Sequence, residues 1–386
     1  MKVSTFVYPW DVNGDPDAAR RIAGLGVRQV TLAAAYHSTR ALTPRHPRHR
    51  IVTAEHASVL YPIDEQHWKG GELRPYAAGD WAPGDAYGEA AAALADAGLD
   101  VHTWVVLAHN SRMGADHPHT SVVNAYGDRY PWAPCIAQPA TRAYLVALAA
   151  EAATRPGARG TELESLGWYG LAHLHAHDKT AGVGLGEAGQ YLMSLCFCPD
   201  CRAGYAEHGL DAEELTRSVR AALEPVWRGE GADDGWPTVE KLLGAETAGA
   251  TRAYRDATAR SLQEAAVAAV REAAPDDFQV LLHADPVSYH CGANAGTDPA
   301  HILSVADGVV VPCTGGAGLV GPFAAQGKGV VAANLTVVRG MGGSPDTLAA
   351  DARAARDLGA TELRLYHAGL ASDADLAAVG EALTEL

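Results

Sequence analysis

The chain is poor in thiols, lysine and phenylalanine: its 386 residues include six cysteines, four phenylalanines and only Lys2, Lys69, Lys179, Lys241 and Lys328 as lysines. It has no run of Lys and Arg with interleaved aromatics, and its 46 acidic residues outnumber its 30 basic ones, for a net charge of −16. Phosphate contacts need clustered positive charge, so no nucleic-acid partner is expected. No apolar run approaches the roughly 20 residues of a membrane span, so no membrane partner is expected either. The opening MKVSTFVYPWDV lacks a long apolar core and a small-residue cleavage site, and the expected setting is the cytoplasm. Thiols stay reduced there, and clustered cysteines bind metal more readily than they pair. The apolar (48%) and charged (20%) fractions are those of an ordinary globular protein.

What the chain does have is alternation. Short β-branched, apolar runs at 2–10, 27–37, 100–110, 161–168, 278–285, 307–313, 329–338 and 361–370 alternate with Ala-rich helical stretches that start near Asp or Ser and end near Gly. Strands apolar on both faces belong to a parallel sheet covered by helices. Eight such units predict an α/β fold, a (β/α)8 TIM barrel, as one domain over 1–386. A doubly wound open sheet is the competitor, but no Gly-rich dinucleotide fingerprint follows the first strand. Two insertions lengthen the barrel. One, at about 38–82 after the second strand, is rich in Pro, His and Arg; the other, at about 169–249 after the fourth, holds half the cysteines. Both leave from C-terminal strand ends, where barrel enzymes carry substrate loops.

The stretch SLCFCPDC places Cys196, Cys198 and Cys201 within six residues. Their thiolates can converge on one ion, helped by Pro199, which fixes φ in the turn. Tetrahedral zinc wants a fourth ligand, and Cys135, after the neighbouring third strand, is the best placed; a His or Asp, or a metal-free buried cluster, are the alternatives. A four-thiolate zinc is coordinatively closed and therefore structural.

At these residues the chain resembles the glycoside hydrolase family 42 β-galactosidases. Cys135 with Gln138-Pro139 and Arg142-Ala143-Tyr144 is similar to the first half of that family's zinc motif, and CFCPDC to the second. TWVVLAHN, His117-Pro118 and NAYGDRY look like glycosidase barrels more widely. The resemblance covers about 100–210 and implies a general acid/base glutamate at the end of the fourth strand, a place filled here by Glu164 in TELESLGW. The chain departs from the family twice: Leu163 stands where the family has Asn, and the seventh strand, GVVAANLTVV, offers Asn334 where the family carries its nucleophilic glutamate.

Glycoside hydrolysis ordinarily needs two carboxyl groups. Asp11 and Asp178 also fall at strand tops, but Asp285 in LLHADP is the favoured second, with a loop-bracing role before Pro286 as its alternative. Glu162, two residues from Glu164 on the same strand face, is a substrate-binding candidate or a salt-bridged barrel residue. His37, His109, His283 and His367 fall at predicted strand ends, and His173, His175 and His177 share one side if HLHAH is extended. With Asn110 they make a polar mouth suited to a hydroxylated ligand, or to a second, catalytic divalent metal. Trp104, Trp132, Trp168 and Tyr169 would face sugar rings there or pack beneath the loops. GLGEAG and CTGGAGLVG read as ordinary glycine turns, and neither Cys291 nor Cys313 has a nucleophile signature. The sequence thus points to a carbohydrate-active hydrolase on a small carbohydrate or glycoside substrate. A sugar isomerase or lyase working by proton abstraction and a sugar-binding pseudoenzyme are the alternatives. A homo-oligomer is compatible with it.

Overall fold

The computed structural model describes residues 1–174, 178–231 and 235–386. Eight parallel strands form the barrel: β1 Lys2–Val7, β2 Gln29–Tyr36, β3 Asp100–Val106, β4 Ala158–Glu164, β5 Gln279–Asp285, β6 Gly308–Pro312, β7 Val330–Thr336 and β8 Glu362–Tyr366. Each pairs with its neighbours in sequence order, and β8 closes on β1 with Glu362 opposite Lys2. The closed ring decides against the open sheet. Each strand lies where an apolar run predicted one, although β4 starts earlier than expected and stops at Glu164, so that Leu166–Trp168 belong to the loop above it.

Alternate residues of each strand face inward and fill the barrel in layers. The lower layer is polar. Ser4 and Thr31 hydroxyls lie 3.2 Å apart, Thr31 donates to Glu162 Oε1 at 3.1 Å, and Arg364 donates to the same oxygen at 2.7 Å and to Glu362 at 2.8 Å. Arg364 and Glu162 are fully buried. Removing one partner of such a pair would cost about 3–5 kcal/mol, because the other charge would be left buried alone. Above them lies an aromatic layer in which Phe6 meets Trp104, Tyr366 and His283 edge-on at centroid separations of 4.7, 5.1 and 5.6 Å.

The insertions differ in kind. After β2 the chain makes a hairpin, Thr39–Leu42 against Ile51–Ala54, and a short strand, Ser58–Val59, antiparallel to the end of β2. After β4 it makes the helices Gly186–Met193, Pro199–Glu207, Ala212–Trp227 and Trp236–Leu243, before the long helix Ala245–Ala273 that packs against Pro139–Ala153. A third elaboration was not foreseen: after β3 come the helix Ser111–Asp116 and a hairpin of Ser121–Val123 with Arg129–Pro134. Its turn is organised by Asn124, whose side-chain oxygen accepts from the Tyr126 and Asp128 amides at 2.9 and 3.0 Å. Cys135 sits where this hairpin ends.

Candidate functional site at the C-terminal end of the barrel

Glu164 is the last residue of β4 and points into the aromatic layer. Its Oε2 accepts from the indole N–H of Trp104 at 2.7 Å and lies 3.8 Å from His283 Nδ1. The carboxyl is 4% exposed. Burial pushes its pKa from 4.5 up to about 7, against the opposing pull of the Trp104 hydrogen bond. At neutral pH it can therefore hold or give up a proton, as a general acid/base must. Among the described residues two that are not glycine have positive φ, Ser165 (58°) and His367 (65°), directly after β4 and β8. Such backbone costs about 1–3 kcal/mol and tends to persist at functional sites.

Tyrosines also frame this site, and sequence reasoning reached Tyr169 but missed Tyr8, Tyr36 and Tyr366 at the strand ends. The Tyr8 hydroxyl donates to that of Tyr36 at 2.9 Å and lies 3.3 Å from His367 Nδ1. With its own proton committed to Tyr36, Tyr8 can only accept from His367, which fixes the imidazole proton on Nδ1. Tyr36, Tyr366 and Tyr169 are each pushed up in pKa, first by burial and next by the nearby Glu164 carboxylate. The available signal was two-residue periodicity, which puts Tyr8 on the inward face of Phe6 one step nearer the mouth.

The predicted histidines His37, His109, His283 and His367 gather here. His37 stacks on Tyr36 at 4.2 Å and meets His109 edge-on at 5.0 Å, while His109 stacks on Tyr169 at 4.3 Å. Burial lowers the pKa of His37 to about 4 and those of His109, His283 and His367 to about 3. They are neutral hydrogen-bonding groups at physiological pH, not a titrating set. His173 adjoins them, with Nε2 3.4 Å from the Tyr169 hydroxyl; His175 and His177 lie outside the described residues.

Three predicted binding residues have their polar groups engaged in structural contacts. Glu162 lies in the lower layer, fully buried against Arg364, where no ligand entering from the loops reaches it. Asn110 caps the helix Ser111–Asp116 by accepting from the Met113 amide at 3.0 Å. Trp168 donates to the Arg255 carbonyl at 3.0 Å and carries the Arg255 guanidinium 4.7 Å over its ring, so it packs under the helix Ala245–Ala273.

Asp285 ends β5 beside a cavity of about 320 Å³ whose wall includes His173, Glu187, Tyr289, His290 and Cys291. It accepts from the Val287 amide at 2.8 Å and faces His290 Nδ1 at 3.1 Å, and the other ring nitrogen of His290 lies 3.6 Å from Glu187. Burial opposes protonation of His290, but Asp285 and Glu187 outweigh it and raise the imidazole's pKa. At the end of β7, Asn334 is buried and its side-chain oxygen has no partner among the described residues.

Cys135, Cys196, Cys198 and Cys201 converge. All four are buried, and their sulfurs lie within 4.8 Å of one another. Cys135 Sγ is 3.7 Å from Cys198 and 3.5 Å from Cys201. Four sulfurs at metal–sulfur distances of about 2.3 Å in a tetrahedron stand about 3.8 Å apart, so the donor set and its spacing suit one ion. Among the described residues no other group of three or more His, Cys, Asp or Glu comes together in this way.

No family model and no curated protein matches the sequence. Solved structures match in shape. The α-L-fucosidase isoenzyme 2 of Paenibacillus thiaminolyticus superposes with a TM-score of 0.58 at 11% identity over 100% of this chain and 49% of its own. The β-galactosidase of the psychrophilic Marinomonas ef1 gives 0.56 at 11% identity over 99% and 59%. The PgaB (BpsB) glycoside hydrolase domain of Bordetella bronchiseptica gives 0.53 at 16% identity over 99% and 97%. What they share with this chain is the barrel. The chain spans about half to three-fifths of the length of the first two. No helix among the described residues is long and apolar enough to cross a membrane.

Proposed function

We propose that the protein is a carbohydrate-active enzyme that hydrolyses a glycoside or related sugar derivative, with Glu164 as general acid/base. The carrying observation is the Glu164 carboxyl itself: inward-facing at a strand end, with a pKa near 7 and anchored by Trp104. Because the indole N–H occupies Oε2, Oε1 is the oxygen that carries the proton to a leaving glycosidic oxygen. The buried tyrosines and neutral histidines around it supply hydrogen bonds to hydroxyl groups without bringing further charge. Asp285 is the second carboxylate in this reading, oriented by Val287 and His290. The shape likeness to a fucosidase, a β-galactosidase and a glycoside hydrolase domain supports the substrate class.

The cysteine cluster would hold zinc, which as a closed four-thiolate ion supplies no open position and serves only to brace the loops after β3 and β4. That bracing would fix the Tyr169 and His173 side of the mouth, and positioning is where barrel enzymes gain precision.

Release of free sugar from a panel of aryl glycosides, lowered by about 10²–10⁴-fold in Glu164→Gln, is the expected result. Asn334, in place of a strand-seven carboxylate, favours a second reading in which the mouth binds sugar without hydrolysing it or abstracts a proton as an isomerase or lyase. Saturable glycoside binding with no turnover would select the binder. Isomerisation or elimination products that persist when Asp285→Asn is introduced but vanish with Glu164→Gln would select proton abstraction.

A further inference from the structure

Glu162 on the barrel floor and Glu164 at its mouth share the inward face of β4, and one side chain of the neighbouring strand stands between them. His283 of β5 turns Nδ1 toward Glu164 Oε2 and Nε2 toward Glu162 Oε2, each at 3.8 Å. The imidazole is 2% exposed, and Phe6 meets its ring edge-on. Burial and the Arg364 charge lower its pKa to about 3, so at neutral pH it carries a single N–H. Which nitrogen holds that proton decides whether Glu164 faces a donor or a lone pair.

The two carboxyls compete for it on unequal terms. Glu162 Oε1 accepts from Arg364 and Thr31, at 2.7 and 3.1 Å, whereas its Oε2 is buried without a partner, as is His283 Nε2. A small turn of either side chain brings these two facing atoms into hydrogen-bond range, and one of them must then donate. Burial raises the pKa of Glu162 against the pull of Arg364 and Thr31, yet the ion pair requires the carboxylate. A proton there would neutralise one of the two carboxylates that hold the buried Arg364 guanidinium, the other being Glu362. An ionised Glu162 only accepts, so the imidazole proton belongs on Nε2. Glu164 Oε2, by contrast, already accepts from Trp104 at 2.7 Å. Tyr36 of β2, Tyr366 of β8 and Tyr169 of the loop after β4 complete its surroundings, and burial keeps all three phenols neutral.

We propose that His283 is a positioning residue for Glu164: Glu162 draws the imidazole proton onto Nε2, Nδ1 is left as an acceptor, and the Glu164 carboxyl, with Trp104 as its donor, keeps its own proton on Oε1. A hydrogen bond to an ionised carboxyl favours ionisation, so an N–H on Nδ1 would give Glu164 a second donor and make it release its proton at lower pH. The floor pair thereby governs the acid above it. Arg364 acts twice, holding Glu162 ionised and keeping His283 from becoming a cation. The catalytic meaning of this arrangement rests on the reading of Glu164 as proton donor; its test needs no substrate.

The test uses the full chain labelled with 15N in histidine and with 13C in the glutamate carboxyls, and read by NMR. The His283 and Glu164 signals are those lost in His283→Gln and Glu164→Gln. The unmodified chain should show the proton on Nε2 and a bare Nδ1 at neutral pH. In Glu162→Gln the amide can turn its carbonyl to Arg364 and its N–H to His283. The imidazole proton should then move to Nδ1, and the Glu164 titration should fall by about one pH unit. A merely structural Glu162 would lower the melting temperature and leave both signals in place. A proton on Nδ1 in the unmodified chain would overturn the inference even if Glu162→Gln fails to fold. So would a folded Glu162→Gln chain in which either the tautomer or the titration stays where it was. The expected tautomers in a chain that cleaves no glycoside would keep the coupling and remove the hydrolase. Cleavage that Glu164→Gln abolishes, with the proton on Nδ1, would keep the hydrolase and remove the coupling.

Discussion

The two long insertions stand on the same end of the barrel and are held there by different forces. The one after β4 is a small helical body with its own apolar interior: Tyr191, Tyr205, Phe197 and Leu223 are buried in it, and the four sulfurs join it to the hairpin after β3. The one after β2 has a hairpin and a two-residue strand as its regular structure; it buries Leu60, Tyr61, Trp68 and Leu73 in the core it shares with the barrel, and polar contacts tie down its outer part. Arg45 reaches across to the carbonyls of Ala371 and, at 3.0 Å, Ala368 beyond β8, while His46 Nε2 meets the Asn13 carbonyl at 3.0 Å. An apolar body drawn together at four sulfurs, which a zinc ion would cross-link, closes up on itself. The insertion after β2 has no interior of its own and packs onto the barrel instead, and a cavity of about 610 Å³ lies along it. One insertion carries the Tyr169 and His173 side of the mouth, and the other lines a hollow outside it.

Breaking the cross-link should have the largest effect. Cys198→Ser removes one of the four sulfurs that would hold zinc, and since metal binding is folding free energy in such sites, the variant should lose its metal and melt on the order of 10 °C lower. Elemental analysis of the unmodified chain should find about one zinc per molecule. A chain without metal, whose melting is unmoved by Cys198→Ser, would reduce the cluster to four packed thiols and remove the contrast between the insertions.

Cutting the polar tie should cost less. Arg45→Ala leaves the carbonyls of Ala368 and Ala371 without their donor and leaves Asp11 without its nearest cation. The expected loss is about 1–3 kcal/mol by urea unfolding, together with earlier proteolysis within 38–82 than within 169–249. A loss as large as that of Cys198→Ser would mean that both insertions are equally integral to the folded body.

The barrel was legible because it is periodic: eight apolar runs separated by Ala-rich amphipathic stretches admit few arrangements, and all eight recur as strands. The cysteines were legible for a related reason, since three in six residues can hardly avoid one another and the fourth lies on the adjacent crossover. Individual side chains near the mouth were less so. The apolar run over 161–168 continues four residues past the end of β4; the strand stops at Glu164, and the chain turns at Ser165 and carries Trp168 under the helix. Glu162 shares a face with Glu164, and only depth separates a base from a floor residue; depth is set by Arg364, two hundred residues away. The tyrosines at the ends of β1, β2 and β8 have no local mark at all, because what makes them a group is the closure of the ring.

The last effect is confined to a pH window and is the most specific to the mouth. Glu164 has a carboxyl whose pKa burial raises from 4.5 to about 7, and Asp11, below the insertion after β2, is raised from 3.8 to about 7 by the same cause, against its hydrogen bond from the Tyr8 amide and the nearby Arg45. A carboxyl with a raised pKa in the folded chain binds its proton more tightly there, so its contribution to stability is complete below the unfolded value and is lost as pH rises through about 7. Glu164→Gln cannot ionise. The variant should therefore gain in melting temperature relative to the unmodified chain between about pH 4.5 and about pH 8, while retaining the slope that Asp11 contributes; adding Asp11→Asn should flatten the remainder. A difference between Glu164→Gln and the unmodified chain that stays constant across that window would mean that the Glu164 carboxyl titrates as an ordinary, solvated one. A group of that kind would be ionised at neutral pH and could not serve as the proton donor on which the hydrolytic reading depends.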